Sequence, residues 1–179
     1  MRSIYKTSFK SYAIGNLPKG CQLCVKGLKE VVFVTGVCPK KPSCYFCPVS
    51  ELKFGKDVVY ANERPVKNVK EIIDEARLCS SKGAGLTGGD PLSRLGRAIK
   101  IIKALKKAFG KSFHIHLYTP LELVNQKVIS RLEKAGLDEI RFHPSLGDKR
   151  LWERLKAHTT MRKGVEIPVV PGYVLSSRG

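Results

Sequence analysis

The sequence predicts an α/β fold in which a parallel sheet forms a part-open (β/α) barrel of about five βα units. Apolar segments of strand length alternate along the chain with segments whose apolar residues recur at helical spacing. This alternation is typical of βαβ units, whose helices return the chain to the start of the next parallel strand. In addition, two predicted strands carry polar side chains on one face, which favours an interior lined for a polar ligand over a closed, aliphatic barrel.

Five segments are predicted strands because each is short, apolar or alternating, and followed by a turn or helix signal. They span residues 31–35, 84–90, 113–119, 137–143 and 165–170. In the third and fourth strands the polar residues fall at alternate positions, and alternate side chains share one face of a strand. Those polar residues are His114, His116 and Tyr118, then Glu139, Arg141 and His143. An edge strand facing solvent is the alternative to a ligand chamber.

Four helices are predicted from apolar stripes or from capping signals. The second begins with Asp90 as N-cap and Pro91 at its first position, and the third with a capping box over residues 119–122. The fourth is expected over about residues 148–158. The first helix is predicted from an apolar stripe whose last residue, Cys79, is expected to pack in the core. The stripe consists of Val69, Ile72, Ile73, Ala76 and Cys79.

The chain is expected to divide into a basic N-terminal extension, residues 1–28, and a main domain, residues 29–179. The extension is weakly patterned and contains a CxxC pair, Cys21 and Cys24. In the main domain, the polar stretch that follows the first strand, up to about residue 66, is predicted to be a long loop. Loops of this length in a compact domain often cover active sites.

Charge and cysteine content limit the possible partners and the compartment. The formal net charge of +18 attracts polyanions, so a nucleic-acid partner is one interpretation and a solvated, lysine-rich surface is the other. No apolar run is long enough to span a bilayer, and the start lacks a signal-peptide pattern, so we expect a cytoplasmic protein without membrane association. Six cysteines in a reducing compartment indicate metal, cluster or redox chemistry.

Three of these cysteines, Cys38, Cys44 and Cys47, lie within ten residues directly after the first predicted strand. Their loop therefore leaves the carboxyl end of a strand, where α/β folds place their chemistry. Structural zinc sites usually need four ligands, whereas three thiolates suit an iron–sulfur cluster with one open iron. The pattern predicts ligation and favours an iron–sulfur cluster, with zinc as the alternative.

This loop, with Phe46 just before its last cysteine, resembles the radical S-adenosylmethionine (radical SAM) superfamily, whose usual spacing is CxxxCxxC. The first interval is two residues longer here. The turn 88–90, Gly-Gly-Asp, resembles the GGE motif of that superfamily with Asp in place of Glu. Residues 118–120 and 169–172 resemble strand ends of pyruvate formate-lyase activating enzymes. With segment 21–27, the resemblance is closest to archaeal proteins related to those enzymes, and it covers about residues 20–172.

The resemblance implies that the three loop cysteines hold a 4Fe–4S cluster whose fourth iron binds S-adenosylmethionine. Reduction through the cluster would yield methionine and a 5′-deoxyadenosyl radical that abstracts hydrogen from a substrate that the sequence does not identify. An external electron donor of the ferredoxin or flavodoxin type would be required. The resemblance assigns adenine contact to Phe46, the methionine amino group to Gly88, Gly89 and Asp90, and further cofactor contacts to Tyr118, Thr119 and His143.

Several of these residues have a second interpretation. Asp90 and Thr119 are also expected helix caps, and His114 and His116 are expected to line the interior rather than bind metal. Cys21 and Cys24 are half of a metal site, or a redox pair.

The barrel of the superfamily normally continues to a sixth βα unit that this sequence does not supply. The sequence therefore leaves three hypotheses open. They are a radical SAM enzyme, an inactive truncated relative, and a non-catalytic zinc- or cluster-binding basic protein associated with RNA.

Overall fold

The computed structural model describes residues 3–40, 44, 46–145 and 149–168. The secondary structure begins with β1 (Ile4–Lys6), β2 (Tyr12–Ile14), α1 (Lys19–Val25), β3 (Lys29–Phe33), β4 (Tyr60–Ala61) and β5 (Arg64–Pro65). It continues with α2 (Val69–Leu78), β6 (Gly83–Thr87), α3 (Leu95–Phe109), β7 (His114–Thr119), α4 (Gln126–Ala135), β8 (Glu139–Phe142) and β9 (Arg162–Val165).

A seven-stranded sheet in the order β5-β4-β3-β6-β7-β8-β9 organises the chain. Its five strands from β3 to β9 are parallel, which confirms the predicted α/β class with a parallel sheet. Among the described residues the sheet is open, with β5 and β9 at its edges. The predicted long loop up to residue 66 is wrong in part, because β4 and β5 form a hairpin that pairs antiparallel with β3.

Helices α2, α3 and α4 pack side by side and build the core on one face of the sheet. The strand residues in this core are apolar, and β7 contributes Ile115 and Leu117, both fully buried. Because these strands alternate, the opposite face receives their polar residues. In the part of the chain that the structure describes, no helix is both long and apolar enough to cross a membrane.

The polar face is largely covered by α1, which lies against β3, β6 and β7. His116 is fully buried beneath Gly20, where an added Cβ would come within 2.7 Å of the imidazole Nδ1. The buried side chains of Glu139 and Arg141 pair with each other at 2.6 Å. The expected open interior is therefore confined to the carboxyl ends of the strands, because a helix from the N-terminal segment fills the rest.

Two helix starts differ from the prediction. Asn125 caps α4 by accepting a hydrogen bond from the Val128 N–H, so no capping box forms at residues 119–122. The Thr119 hydroxyl is instead 2.8 Å from Oδ1 of Asp90. The fourth predicted helix is reduced to a 3₁₀ helix at Trp152–Lys156, and residue 148, its predicted start, lies outside the described residues.

The assignment of Cys79 to the core is also wrong. Cys79 follows the last turn of α2 as its C-cap and is exposed, with its sulfur 3.5 Å from a carboxylate oxygen of Glu75. The apolar stripe of α2 ends with the buried Ala76, since the helix stops before another turn can face the sheet. The last strand, β9, begins and ends earlier than its predicted range of 165–170, of which residues 169 and 170 lie outside the described part.

Glu30 on β3 is a buried carboxyl whose two side-chain oxygens have no hydrogen-bond partner among the described residues. Burial, reinforced by Glu75, raises the pKa of Glu30 to about 8. Between the ordinary pKa near 4.5 and this value, the unfolded chain loses a proton that the folded chain keeps, so stability decreases as pH rises.

We expect Glu30→Gln to remove this loss, which amounts to at most about 1.4 kcal/mol per pH unit for one proton. Urea unfolding at pH 5 and pH 8 measures the effect, and Glu51→Gln, at an exposed position, is the matched control. A wild type and a Glu30→Gln variant with the same pH dependence would contradict the assignment.

Candidate functional site

A cavity of about 390 Å³ opens at the carboxyl ends of the parallel strands. Strands β3, β6, β7 and β8 each lead into its wall, as expected for parallel strands whose carboxyl ends meet at one edge. The cavity brings together nine of the residues predicted to bind cluster or cofactor: Cys38, Cys44, Phe46, Cys47, Gly88, Gly89, Tyr118, Thr119 and His143.

The glycine turn after β6 is pressed against the backbone that leads into the cysteine loop. The Gly89 N–H donates to the Thr35 carbonyl at 2.8 Å, and the Asp90 N–H donates to the Val37 carbonyl at 2.8 Å. A Cβ on Gly89 would lie 2.6 Å from the carbonyl oxygens of both Gly36 and Val37. Glycine is needed here because two backbone segments touch, and the contact fixes where Cys38 leaves the sheet.

The same segment is held from its other side by residues 53–57. Gly36 donates to the Lys56 carbonyl at 2.8 Å and accepts from the Gly55 N–H at 2.9 Å. Asp57 anchors this stretch, because it accepts hydrogen bonds from Arg97, Arg94 and Thr35. Hydrogen bonds from Arg97 and then Arg94 hold the pKa of Asp57 well below its usual range. The loop therefore starts from a backbone that is clamped on both sides.

The three loop cysteines are half-buried free thiols in the cavity wall. Burial raises the pKa of Cys38, the Lys40 backbone lowers it, and the carboxyls of Asp90 and Glu122 raise it further. Within the described ranges, no three His, Cys, Asp or Glu side chains are close enough together to hold a metal ion. The thiols share one cavity without converging on a single point.

Asp90 lies beneath the cavity rather than in its wall. Its carboxylate Oδ1 accepts from the Leu92 N–H at 2.9 Å, which confirms Asp90 as the cap of the 3₁₀ helix that precedes α3. The Thr119 hydroxyl donates to the same oxygen, so the predicted capping role of Thr119 is wrong. Oδ2 has no hydrogen-bond partner among the described residues, and burial raises the pKa of Asp90 to about 6.

Tyr118, His143 and Phe46 also line the cavity. Burial raises the pKa of Tyr118 to about 12 and lowers the pKa of His143. Glu166 also lines the wall, with its carboxylate 3.5 Å from His143 Nε2. Sequence reasoning missed Glu166 because the fifth strand was predicted too late in the chain. The rule that parallel strands end at one edge would have placed Glu166 here once β9 was assigned correctly.

Cys21 and Cys24 lie outside this wall, on α1. The sulfur of Cys21 is 3.3 Å from a guanidinium nitrogen of Arg141, and Cys24 is exposed. Arg141 itself points into the layer under α1 and not into the cavity. Residues 169–172, whose sequence resembles a strand end of pyruvate formate-lyase activating enzymes, lie outside the described residues.

An open α/β sheet with a three-cysteine loop and a glycine turn at one cavity is the arrangement expected from the resemblance to the radical SAM superfamily. The sequence profile of the radical SAM superfamily matches residues 32–163, which cover most of the seven-stranded sheet and the whole cysteine loop. The chain belongs to the radical SAM superfamily.

A curated protein of Methanocaldococcus jannaschii is 55% identical to this chain over 129 residues. Its name provisionally describes it as a glycyl-radical enzyme activating enzyme. The match covers 72% of this chain and 34% of that protein, so the chain spans about a third of the length of the relative it matches. No solved structure matches the chain.

The clamp at Gly89 gives a stability prediction. Gly89→Ala places a methyl group against two backbone carbonyls that cannot move independently, so we expect a loss of about 1–3 kcal/mol. Gly96→Ala is the matched control, because nothing lies within 4 Å of its Cβ and α3 continues through it. We expect this control to gain up to about 1 kcal/mol. Urea unfolding compares the two, and equal stabilities would show that the clamp does not constrain the fold.

Proposed function

We propose that this chain carries the cluster and cofactor site of a radical SAM enzyme, in which Cys38, Cys44 and Cys47 hold a 4Fe–4S cluster. The observation that supports it best is that all three thiols line the cavity that also contains the glycine turn after β6. The cysteine loop and the glycine turn both lie within the residues that the superfamily profile matches.

The residues present suit this pair of cofactors. Three thiols leave one iron without a protein ligand, so an amino acid group can bind there. The cavity volume of about 390 Å³ lies within the usual range for small-molecule sites. Val49, Phe54 and Ile167 give the wall an apolar part, which suits a site that must exclude water around a reactive species.

When bound, the cluster would supply the electron that cleaves S-adenosylmethionine to methionine and a 5′-deoxyadenosyl radical. The protein's own contribution is to hold and orient the reactants. Gly88 and Gly89 present backbone without side chains to the methionine part, and Asp90 holds the Thr119 hydroxyl from beneath. Tyr118, His143 and Phe46 line the part of the cavity proposed for the nucleoside.

The activity, the substrate and the electron donor of the whole protein are part of the same proposal. The name of the relative supports hydrogen abstraction from a glycyl residue of a partner enzyme. The donor is proposed to be a low-potential, one-electron protein of the ferredoxin or flavodoxin type, for which dithionite can substitute in an assay. We propose the division at about residue 28 as the start of the cluster-binding domain, since β3 follows at Lys29.

The test is to replace one cluster ligand. After anaerobic reconstitution, we expect the wild type to hold about four irons per chain and to release 5′-deoxyadenosine with dithionite. Cys44→Ala should lose the cluster absorbance and the product, while Cys79→Ala, at an exposed position outside the cavity, should keep both.

Thermal unfolding of the metal-free variants shows whether Cys44→Ala still folds. A Cys44→Ala protein that retains cluster and product would sink the proposal. Zinc in place of iron, with no visible chromophore, would instead favour the zinc-binding interpretation. A stable cluster without product would identify an inactive relative.

A second candidate function, binding of a single-stranded nucleic acid, is favoured by the surface of α3. This helix contains no acidic residue, and its exposed lysines form no ion pair with any residue that the structure describes. They are Lys100, Lys103 and Lys107, which follow one another at helical spacing along one side of the helix. A row of unpaired cations attracts a phosphate backbone without reading its sequence.

Changing these three lysines to Gln should weaken RNA binding and lower the salt slope of log K by about 2, since each phosphate contact contributes about 0.7. Fluorescence anisotropy with a single-stranded RNA at several salt concentrations measures the slope. The matched control changes Lys10, Lys70 and Lys156, which are exposed and scattered, so the net charge is the same. Equal slopes for both triple variants would show that net charge alone, and not this face, attracts RNA.

A further inference from the structure

We propose that Cys21 and Cys24 form a second functional site, a redox-active dithiol on α1 that is oxidised to a disulfide by exchange with another disulfide. This site is separate from the cysteine loop, and it does not depend on the proposed radical SAM activity. It is assigned from the position of the two thiols on the helix, their accessibility, and the cation beside one of them.

The two cysteines are spaced for a bridge within the helix. They are three residues apart in α1 (Lys19–Val25). Positions three residues apart in an α-helix have Cα atoms about 5 Å apart and directions about 60° apart around the axis. Disulfides need Cα separations of about 4.4–6.8 Å, so the bond can form without moving the helix from the sheet.

The helix is fixed to the sheet by other residues, which leaves the thiols accessible. Leu23 is buried, and a Cβ on Gly83 would lie 2.7 Å from its Cδ1, so Leu23 packs directly onto β6. Gly20 packs onto His116 of β7. The remaining flank carries Cys21, half-buried, and Cys24, exposed. Unligated structural cysteines usually occupy apolar, buried places, and this pair does not.

Arg141 provides a fixed cation at Cys21. One guanidinium nitrogen donates to the sulfur at 3.3 Å, while Nε donates to Glu139 at 2.6 Å. The Arg141 side chain is only 9% exposed, so the contact is held in place by the layer under α1. Burial acts to lower the pKa of Arg141, but the bonds to Cys21 and Glu139 leave it above its usual range. Thiolate sulfur is the attacking species in exchange, and a cation within hydrogen-bond reach holds that species.

The proposed step is a two-electron exchange. The Cys21 sulfur attacks one sulfur of an incoming disulfide, forms a mixed disulfide and releases one thiol of the oxidant. Cys24 then attacks the Cys21 sulfur, forms the intrahelical disulfide and releases the second thiol. The two protons of the protein dithiol pass to the two leaving sulfurs, so the protein is oxidised and the oxidant disulfide is reduced. Glutathione disulfide represents this class of oxidant.

The test uses the full chain in anaerobic glutathione buffers, followed by acid quenching, alkylation and tryptic mass spectrometry. Cleavage after Lys19 and Lys26 releases both cysteines in one heptapeptide, Gly20 to Lys26, that contains no other cysteine. The lone, exposed Cys79 appears in a separate peptide, residues 78–82, and serves as the internal control. The disulfide is detected as the loss of two hydrogens, and a mixed disulfide as an added glutathione.

We expect the ratio of oxidised to reduced heptapeptide to be proportional to the concentration of glutathione disulfide divided by the square of the glutathione concentration, as an intramolecular bridge requires. The ratio of mixed disulfide to free thiol at Cys79 should instead be proportional to the concentration of glutathione disulfide divided by that of glutathione. Relative to a synthetic heptapeptide of residues 20–26, the folded pair should favour the reduced form several-fold, because only the folded chain places the Arg141 guanidinium within hydrogen-bond distance of the Cys21 sulfur. An equilibrium equal to that of the free peptide, or the same concentration dependence as Cys79, would overturn the proposal.

Single variants identify the attacking thiol and do not require a disulfide to form. In Cys24→Ser, the remaining Cys21 should react with glutathione disulfide faster than the remaining Cys24 does in Cys21→Ser, although Cys21 is the less exposed of the two. A faster reaction of Cys24, the more exposed thiol, than of Cys21 would contradict the role assigned to Arg141. Circular dichroism confirms that both variants fold before their rates are compared.

Discussion

The backbone contact between the glycine turn after β6 and residues 35–37 is the constraint on which the site depends. Two hydrogen bonds and two positions without Cβ atoms lock the ends of neighbouring strands together. Cys38 is the next residue, so the first cysteine of the loop is positioned by backbone rather than by side-chain packing. Gly88 and Gly89 therefore fix the backbone of the protein itself. Their proposed contact with a cofactor would use the part of the same turn that lines the cavity.

Local patterns explain why much of the fold could be predicted. Helix α2 has its predicted apolar stripe, and Asp90 caps the segment before α3, because neighbouring residues decide these features. The gathering of the site residues at one cavity also followed from a general rule, that parallel strands end at the same edge. The role of each residue toward a cofactor stays a prediction.

The features that sequence reasoning missed depend on contacts between distant residues. The hairpin β4–β5 has strands of two residues each, which form because β3 offers an edge. Thr119 bonds to Asp90, a partner 29 positions earlier, instead of capping the next helix. The position of α1 over the polar strand faces depends on Gly20 meeting His116, and no local periodicity reports such a contact.

The layer that α1 covers has an electrostatic consequence for the cavity above it. Burial, and then Lys29 and Arg141, lower the pKa of His116 to about 3, so this imidazole is neutral at pH 7. Lys29 and Arg141 carry two positive charges against the single negative charge of Glu139, and both cations lie within 6 Å of the Tyr118 ring. Together these three side chains, of which Lys29 is only half-buried, hold an excess of one positive charge beside the Tyr118 ring. Its field raises the electrostatic potential at the part of the cavity wall that Tyr118 forms, and Glu166, beside His143, is a negative charge in the same wall.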